Sequence, residues 1–103
     1  MTYRVELTTR ASRDLKHIFE TIAAADSVQA GLWFNGLQKT VLSLESHPAR
    51  GAATQENGNL RHLLYGSDRY VYRIIYAIDE GKRLVTVIHV PHGSRRPMVP
   101  SPR

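Results

Sequence analysis

Two hydrophobic runs in the second half of the chain dominate its pattern. Residues 70–79 and 83–92 are rich in β-branched and aromatic side chains, and both runs are short enough to predict strands. Between them lies a short turn around Gly81, which is typical of a hairpin loop. A further run at 60–65 precedes them across a turn at 66–69. Three strands in succession with short turns predict an antiparallel meander.

In the first half of the chain, apolar residues recur first at every second position and then at every third or fourth position. Residues 3–8 alternate between apolar and polar side chains, which predicts a half-buried strand. From residue 10 to about 25 one apolar stripe predicts an amphipathic helix, with Thr9 as its N-cap. A second helix is predicted at about 27–46 and is ended by Pro48. The predicted fold class is α+β: an N-terminal strand, an antiparallel helix hairpin, then a three-stranded antiparallel meander.

The middle strand of the meander carries one residue that does not fit a plain core strand. Tyr72 and Tyr76 belong to its bulkier face, which we expect to meet the helices. Arg73 then lies on the opposite face, in a groove left open. Either its guanidinium forms an anion site beside the basic strand end, or it makes a structural ion pair with Asp79, Asp68 or a chain carboxylate.

The segment 47–59 is the one long stretch without a clear period. It holds two glycines and a polar run that includes Glu56. Its length is unusual for a compact domain, so it is either functional or mobile. Glu56 is a candidate general base, and the alternative is a solvated loop carboxylate.

The length of 103 residues predicts one domain. We assign it to residues 1–98 and expect a disordered tail at 99–103, where prolines cluster. The absence of cysteine excludes disulfides and is compatible with a reducing compartment. No run approaches a membrane span, and the N-terminus lacks the layout of a signal peptide. We therefore expect a cytoplasmic protein with no membrane partner.

Positive charge is concentrated in the strand half. The formal net charge is +5, divided as +1 over residues 1–50 and +4 over residues 51–103, and arginines outnumber lysines by eleven to three. Because arginine binds phosphate or carboxylate through a planar fork, the bias favours an anionic partner. The five histidines have no acidic partner at ligand spacing, and no phosphate loop or dinucleotide fingerprint is present. We therefore expect no metal and no cofactor.

Two motifs of the meander resemble a known family. They are Tyr72-Arg-Ile-Ile-Tyr76 and the ending Val87-Ile-His-Val-Pro-His-Gly-Ser-Arg-Arg-Pro97. In this order and in so short a chain they are similar to the RelE/ParE superfamily of toxins from type II toxin–antitoxin systems. Some members are known as plasmid stabilisation proteins, and the likeness in layout covers about residues 3–97.

The resemblance implies growth inhibition by one of two routes. RelE-type members cut messenger RNA in the ribosomal decoding site, whereas ParE-type members share the fold and inhibit DNA gyrase without known nuclease activity. In the ribonuclease branch, the arginine matching Arg73 contacts the scissile phosphate, and His92 would serve as acid or base. Binding of phosphate or of the target would fall to four further cations: Arg61, Lys82, Arg95 and Arg96.

The ending of the chain resembles the ParE branch more closely. The segment 51–64 offers only Glu56, Arg61 and His62 where ribonuclease members place several lysines or an acid, and nothing aromatic follows Tyr76. We therefore expect a gyrase inhibitor. The alternatives are a RelE-like, ribosome-dependent messenger RNA endoribonuclease and a non-toxic anion-binding interaction domain.

The resemblance also implies a partner. Toxins of this superfamily are held by a small cognate antitoxin whose C-terminal segment wraps the toxin. It would add a helix over the helix hairpin or a strand to a sheet edge. The antitoxin usually brings the DNA-binding module, so we expect operator DNA to be bound only through it.

Overall fold

The computed structural model of the protein describes residues 2–55, 57–67 and 70–93. The strands are β1 (Arg4–Leu7), β2 (Ala52–Ala53), β3 (Arg61–Tyr65), β4 (Tyr72–Asp79) and β5 (Leu84–His89), and the helices are α1 (Thr9–Thr21) and α2 (Val28–Leu42). The strands form one sheet in the order β1-β5-β4-β3-β2. The α+β fold class is confirmed, with the antiparallel meander β3-β4-β5 at its centre.

Two strands extend the meander into the five-stranded sheet. The N-terminal strand β1 pairs with β5 in parallel, with Arg4 opposite Leu84. At the other edge β2 pairs antiparallel with β3. β2 belongs to the segment 47–59, which also contains the 3₁₀ turn Pro48–Arg50. That segment is therefore only partly irregular.

Helix α1 begins and ends earlier than predicted. Its N-cap is Thr8 rather than Thr9, and the Thr8 hydroxyl accepts a hydrogen bond from the backbone N–H of Ala11 at 3.0 Å. The helix ends at Thr21 instead of near residue 25, because Ala23 takes a positive φ of 56° and reverses the chain. The alanines that favour helix by propensity thus form the turn between the helices.

Helix α2 is shorter than predicted at its C-terminus. It starts after Ser27, whose hydroxyl accepts a hydrogen bond from the N–H of Ala30. It ends at Leu42 and tightens into the 3₁₀ turn Ser43–Glu45. The predicted helix 27–46 therefore divides into an α-helix and a 3₁₀ turn, a common ending for a helix.

The core lies between the two helices and one face of the sheet. Tyr72, Ile74 and Tyr76 of β4 are buried there, as predicted from their alternation. Leu37 of α2 is fully buried against them. The helices also meet each other, since the rings of Phe19 and Phe34 pack edge to face with centroids 5.1 Å apart. No helix among the described residues is long and apolar enough to span a membrane.

The chain continues alongside β4 after β5 ends. A bulge interrupts the β4–β5 ladder between Ile75 and Tyr76. Beyond it, the N–H of Arg73 donates to the carbonyl of Pro91 at 2.9 Å, and the N–H of Gly93 donates to the carbonyl of Val71 at 2.6 Å. We call residues 90–93 the strand end. The predicted tail 99–103 lies outside the described residues.

Candidate target-binding site

Arg73 is the second residue of β4 and lies on the sheet face opposite the helices. Its Nε donates a hydrogen bond to Nδ1 of His62 on β3 at 3.0 Å. Arg73 is only 9% exposed, so the predicted open groove is wrong. Part of the cover is the strand end, because a Cβ built on Gly93 would lie 3.0 Å from Cγ of Arg73.

The β3–β4 register explains why His62 meets Arg73. Leu64 stands directly opposite Arg73, and His62 stands opposite Ile75. His62 is therefore the diagonal neighbour of Arg73 on the same face, within reach of a long side chain. Because a guanidinium can only donate, Nδ1 of His62 accepts, and the neutral ring carries its proton on Nε2.

His92 lies on the other side of the sheet. It forms an antiparallel bridge with Tyr72, and the two rings pack edge to face with centroids 4.8 Å apart. Both line a cleft of about 270 Å³ beneath α1, together with Asp14 and His17. Successive residues of a strand point to opposite faces. His92, which packs on Tyr72, and His62, which contacts Arg73, are therefore separated by the sheet.

Arg61 is the first residue of β3 and donates hydrogen bonds to the neighbouring backbone. It stands opposite Tyr76, on the helix side of the sheet. Its Nη1 donates to the backbone carbonyls of Ala49 and Gly51, at 3.1 and 2.6 Å. Burial raises the pKa of Tyr76, while the N–H of Gly51 and the charges of Arg61 and Arg50 act in the opposite direction. Arg61 thus joins the segment before β2 to the sheet.

Lys82 is exposed in the β4–β5 turn, where its backbone N–H donates to Oδ1 of Asp79 at 3.0 Å. Asp79 ends β4, six residues from Arg73, which corresponds to about 20 Å along a strand. Neither Lys82 nor Asp79 is therefore a neighbour of Arg73, and the interpretation of an Arg73–Asp79 ion pair is wrong.

The remaining predicted residues lie outside the described part of the chain. These are Arg95 and Arg96, the candidate base Glu56, and Asp68. The predicted site residues that the structure describes lie in four different places: Arg73 on β4, Arg61 on β3, Lys82 in the β4–β5 turn and His92 after β5.

The residues that contact Arg73 and the end of β5 were not among the predicted site residues. His62 was noted only as part of a sparse segment, yet it contacts Arg73. His89 of β5 contacts α1, with its Nδ1 2.6 Å from Oδ2 of Asp14. Strand alternation places His62 and Arg73 on the same face, but only once the β3–β4 register is known. Within the described ranges, no group of three or more His, Asp or Glu is arranged to hold a metal ion.

Solved structures of toxins share this fold. A ParDE system from P. aeruginosa matches with a TM-score of 0.69 at 16% identity, over 88% of this chain and 96% of that chain. The intact RelBE complex from E. coli matches with a TM-score of 0.64 at 19% identity, over 90% of this chain and 99% of that chain. The RelBE2 complex from Mycobacterium tuberculosis matches with a TM-score of 0.60 at 23% identity, over 91% of this chain and 94% of that chain. The fold is therefore that of a small toxin from a toxin–antitoxin pair.

A family profile matches most of the sequence. The profile of the family described as "ParE toxin of type II toxin-antitoxin system, parDE" matches residues 5–97. A search among curated proteins finds no match. The chain belongs to the ParE toxin family of type II toxin–antitoxin systems.

Proposed function

We propose that this toxin inhibits DNA gyrase by binding it, without catalysis, and that a cognate antitoxin neutralises it. Its place of action is the cytoplasm, and its toxin domain is residues 1–98. The positions of Arg73 and His92 on opposite faces of the sheet carry the proposal. A phosphoryl-transfer site needs its cation and its acid or base within hydrogen-bond reach of the same phosphate.

The surroundings of Arg73 also support binding over catalysis. Its guanidinium is nearly buried and its Nε is engaged with His62. A buried, oriented guanidinium suits a fixed role in a binding surface or in the sheet itself. Beside it, Leu64 directly opposite on β3 is 61% exposed. This face of the sheet therefore presents an exposed apolar side chain next to an arginine of fixed orientation, where a protein partner could bury it.

One observation favours the ribonuclease alternative. His62 brings an imidazole to Arg73 on the same face, so it could take the acid–base role that the sequence assigned to His92. In that mechanism Nε2 of His62 would exchange the proton, and Arg73 would stabilise the charge on the phosphate. Arg95 and Arg96 remain proposed phosphate or target contacts in both readings, together with Arg61 and Lys82.

The deciding experiment compares two assays of the purified toxin. In the first, gyrase supercoiling is titrated with toxin; in the second, a cell-free translation reaction receives toxin and its messenger is mapped by primer extension. We expect supercoiling to stop and the messenger to stay intact. Growth arrest with normal supercoiling would refute the gyrase proposal, and ribosome-dependent cuts would establish the ribonuclease. Harmless overexpression without the antitoxin would favour the non-toxic anion-binding domain.

Variants of two histidines separate the mechanisms further. His62→Gln and His92→Gln each remove an imidazole from one face of the sheet, and His47→Gln, at an exposed position, is the matched control. A ribonuclease using His62 would lose cleavage by about 10²-fold or more in His62→Gln alone. A gyrase inhibitor would lose activity only as far as its binding surface is disturbed. Cleavage that survives in His62→Gln would exclude that histidine as a catalyst.

The antitoxin proposal is supported by an exposed stripe on α2 in which apolar residues flank the polar Asn35 and Lys39. Val28, Leu32 and Leu42 are 81%, 65% and 57% exposed, on the side of the helix opposite the buried Leu37. A partner helix could cover this stripe, and a partner strand could pair with an edge at β1 or β2. The solved relatives described as RelBE2 and RelBE are toxin–antitoxin complexes.

Co-expression tests the partner. We expect the product of an adjacent small open reading frame with an acidic tail to bind the toxin, improve its solubility and relieve its toxicity. Leu32→Asp should weaken that complex, whereas Gln38→Asp, an equal change of charge at another exposed α2 position, should not. Unimpaired binding by Leu32→Asp would exclude the α2 stripe as the site of contact.

A further inference from the structure

A carboxylate on α1 is bonded to the point where β5 ends. Oδ2 of Asp14 lies 2.6 Å from Nδ1 of His89 and accepts the backbone N–H of Val90 at 2.9 Å. On the other side of the ring, Nη2 of Arg10 lies 3.1 Å from Nε2 of His89. Because arginine only donates, Nε2 accepts and the proton sits on Nδ1, directed at Asp14. One carboxylate oxygen thus holds a side chain and a main-chain amide of consecutive residues.

The contact between Asp14 and Val90 lies just after β5, next to a bulge in the β4–β5 pairing. The bulge between Ile75 and Tyr76 shifts the β4–β5 register by one residue, and the shifted register continues from Ile75 opposite His89 to the bridge between Tyr72 and His92. Val90 is the first residue after β5 and is only 2% exposed. β1 pairs with β5 only as far as Leu7 opposite Val87, and Asp14 supplies the acceptor for the amide of Val90 beyond that pair.

The residues that follow Val90 contact both faces of the sheet, at Arg73 on one side and at Tyr72 on the other. Pro91 accepts the N–H of Arg73, and Gly93 donates to Val71 while lying against the Arg73 side chain. Between them, His92 packs on Tyr72 in the cleft that Asp14 also lines. A shift of Val90 would therefore move the cover of Arg73 on one face and His92 on the other.

We propose that Asp14 is a positioning residue for the strand end. It acts through Val90 and His89, setting the path of residues 90–93 and so the orientation of Arg73 and His92. The functional part of this inference rests on the proposed inhibition of gyrase, whereas its structural part does not.

Three variants test the proposal. Asp14→Ala removes the acceptor. Asp14→Asn keeps one oxygen that can accept both hydrogen bonds while losing the charge. Glu20→Ala removes an exposed carboxylate from the same helix and is the matched control.

The first measurement is amide hydrogen exchange. In Asp14→Ala we expect the amides of Val90 and Gly93 to exchange at least tenfold faster than in the wild type, while the amide of Ile74 in the core changes less than twofold. Asp14→Asn should restore most of the protection, and Glu20→Ala should match the wild type. Unchanged exchange at Val90 and Gly93, or an equal acceleration at Ile74, would overturn the proposal.

The second measurement is inhibition of gyrase supercoiling by the same proteins. We expect Asp14→Ala to raise the half-inhibitory concentration at least tenfold and Asp14→Asn to stay within about threefold of the wild type. Full inhibition by Asp14→Ala, despite loosened exchange at Gly93, would overturn the positioning role.

A wild type that leaves gyrase untouched would refute the proposed function separately. Growth arrest then replaces supercoiling as the readout. Arrest lost in Asp14→Ala and kept in Asp14→Asn would support positioning toward another target, and arrest kept in both would overturn it.

Discussion

Replacing Tyr76 with phenylalanine removes a single buried oxygen that two backbone groups share. Tyr76 is fully buried in β4, its hydroxyl donates to the carbonyl of Pro48, and it accepts the N–H of Gly51 at 3.0 Å. Pro48 and Gly51 are themselves buried. The substitution keeps the ring and its packing, so its effect isolates the two hydrogen bonds.

The expected loss follows from leaving both backbone groups without this partner. A buried group left unpaired costs about 1–3 kcal/mol. Two groups cost about 2–6 kcal/mol, offset by roughly 1 kcal/mol because phenylalanine no longer buries a hydroxyl. We therefore expect Tyr76→Phe to lower the free energy of unfolding by about 1–5 kcal/mol. For a domain of this size that corresponds to a fall in Tm of roughly 5–25 °C.

Urea unfolding and thermal melting, followed by circular dichroism, provide the assay. Tyr70→Phe is the control, because the Tyr70 side chain is 52% exposed and its loss of a hydroxyl should change stability by less than about 0.5 kcal/mol. Equal stability of Tyr76→Phe and Tyr70→Phe would refute the reasoning. It would show that the segment around Gly51 is held by its other contacts, including the carbonyl bonds from Arg61.

Three further perturbations test the fold. Gly66→Ala should cost about 3 kcal/mol or more, because Gly66 has φ of 102° and its Cβ would lie 1.9 Å from a carbonyl oxygen; in urea unfolding, Gly58→Ala, with nothing within 4 Å, should stay near the wild type. Leu37→Ala should cost about 2–5 kcal/mol, against less than about 0.5 kcal/mol for Leu32→Ala at an exposed position of the same helix, and equal losses would contradict the assigned core. Burial raises the pKa of Tyr76 above its ordinary 10.0, so its contribution to stability is full below pH 10 and is lost as the pH rises above it; ΔG measured against pH should fall less steeply in Tyr76→Phe, and identical slopes would contradict this.

Local patterns predicted the central elements of the fold. Alternation placed Tyr72 and Tyr76 on the core face, because a half-buried strand needs its apolar residues at every second position. The end of α1 was missed because alanine favours helix in isolation, whereas Ala23 adopts the left-handed conformation required to turn the chain. The parallel pairing of β1 with β5 leaves no local signal, since it joins residues far apart in sequence.

The candidate site was predicted less well for a related reason. The motif identified Arg73, but its neighbours depend on a register set across the turn at 66–69. Likewise, the side of the sheet on which His92 lies depends on the bulge between Ile75 and Tyr76, and no residue type in the sequence predicts that bulge. The contact of Asp14 with the strand end joins positions 76 residues apart. Such contacts follow from the assembled sheet and not from local propensity.

The pairing of the first strand with the last has a consequence for synthesis of the toxin. Arg4 stands opposite Leu84, so β1 has no partner until the ribosome has made and released β5. At about 5–20 residues per second, those eighty residues take roughly 4–16 s. The same order applies to Asp14, whose contacts at His89 and Val90 form later still. The five-stranded sheet therefore closes only at the end of synthesis, when β5 becomes available to β1.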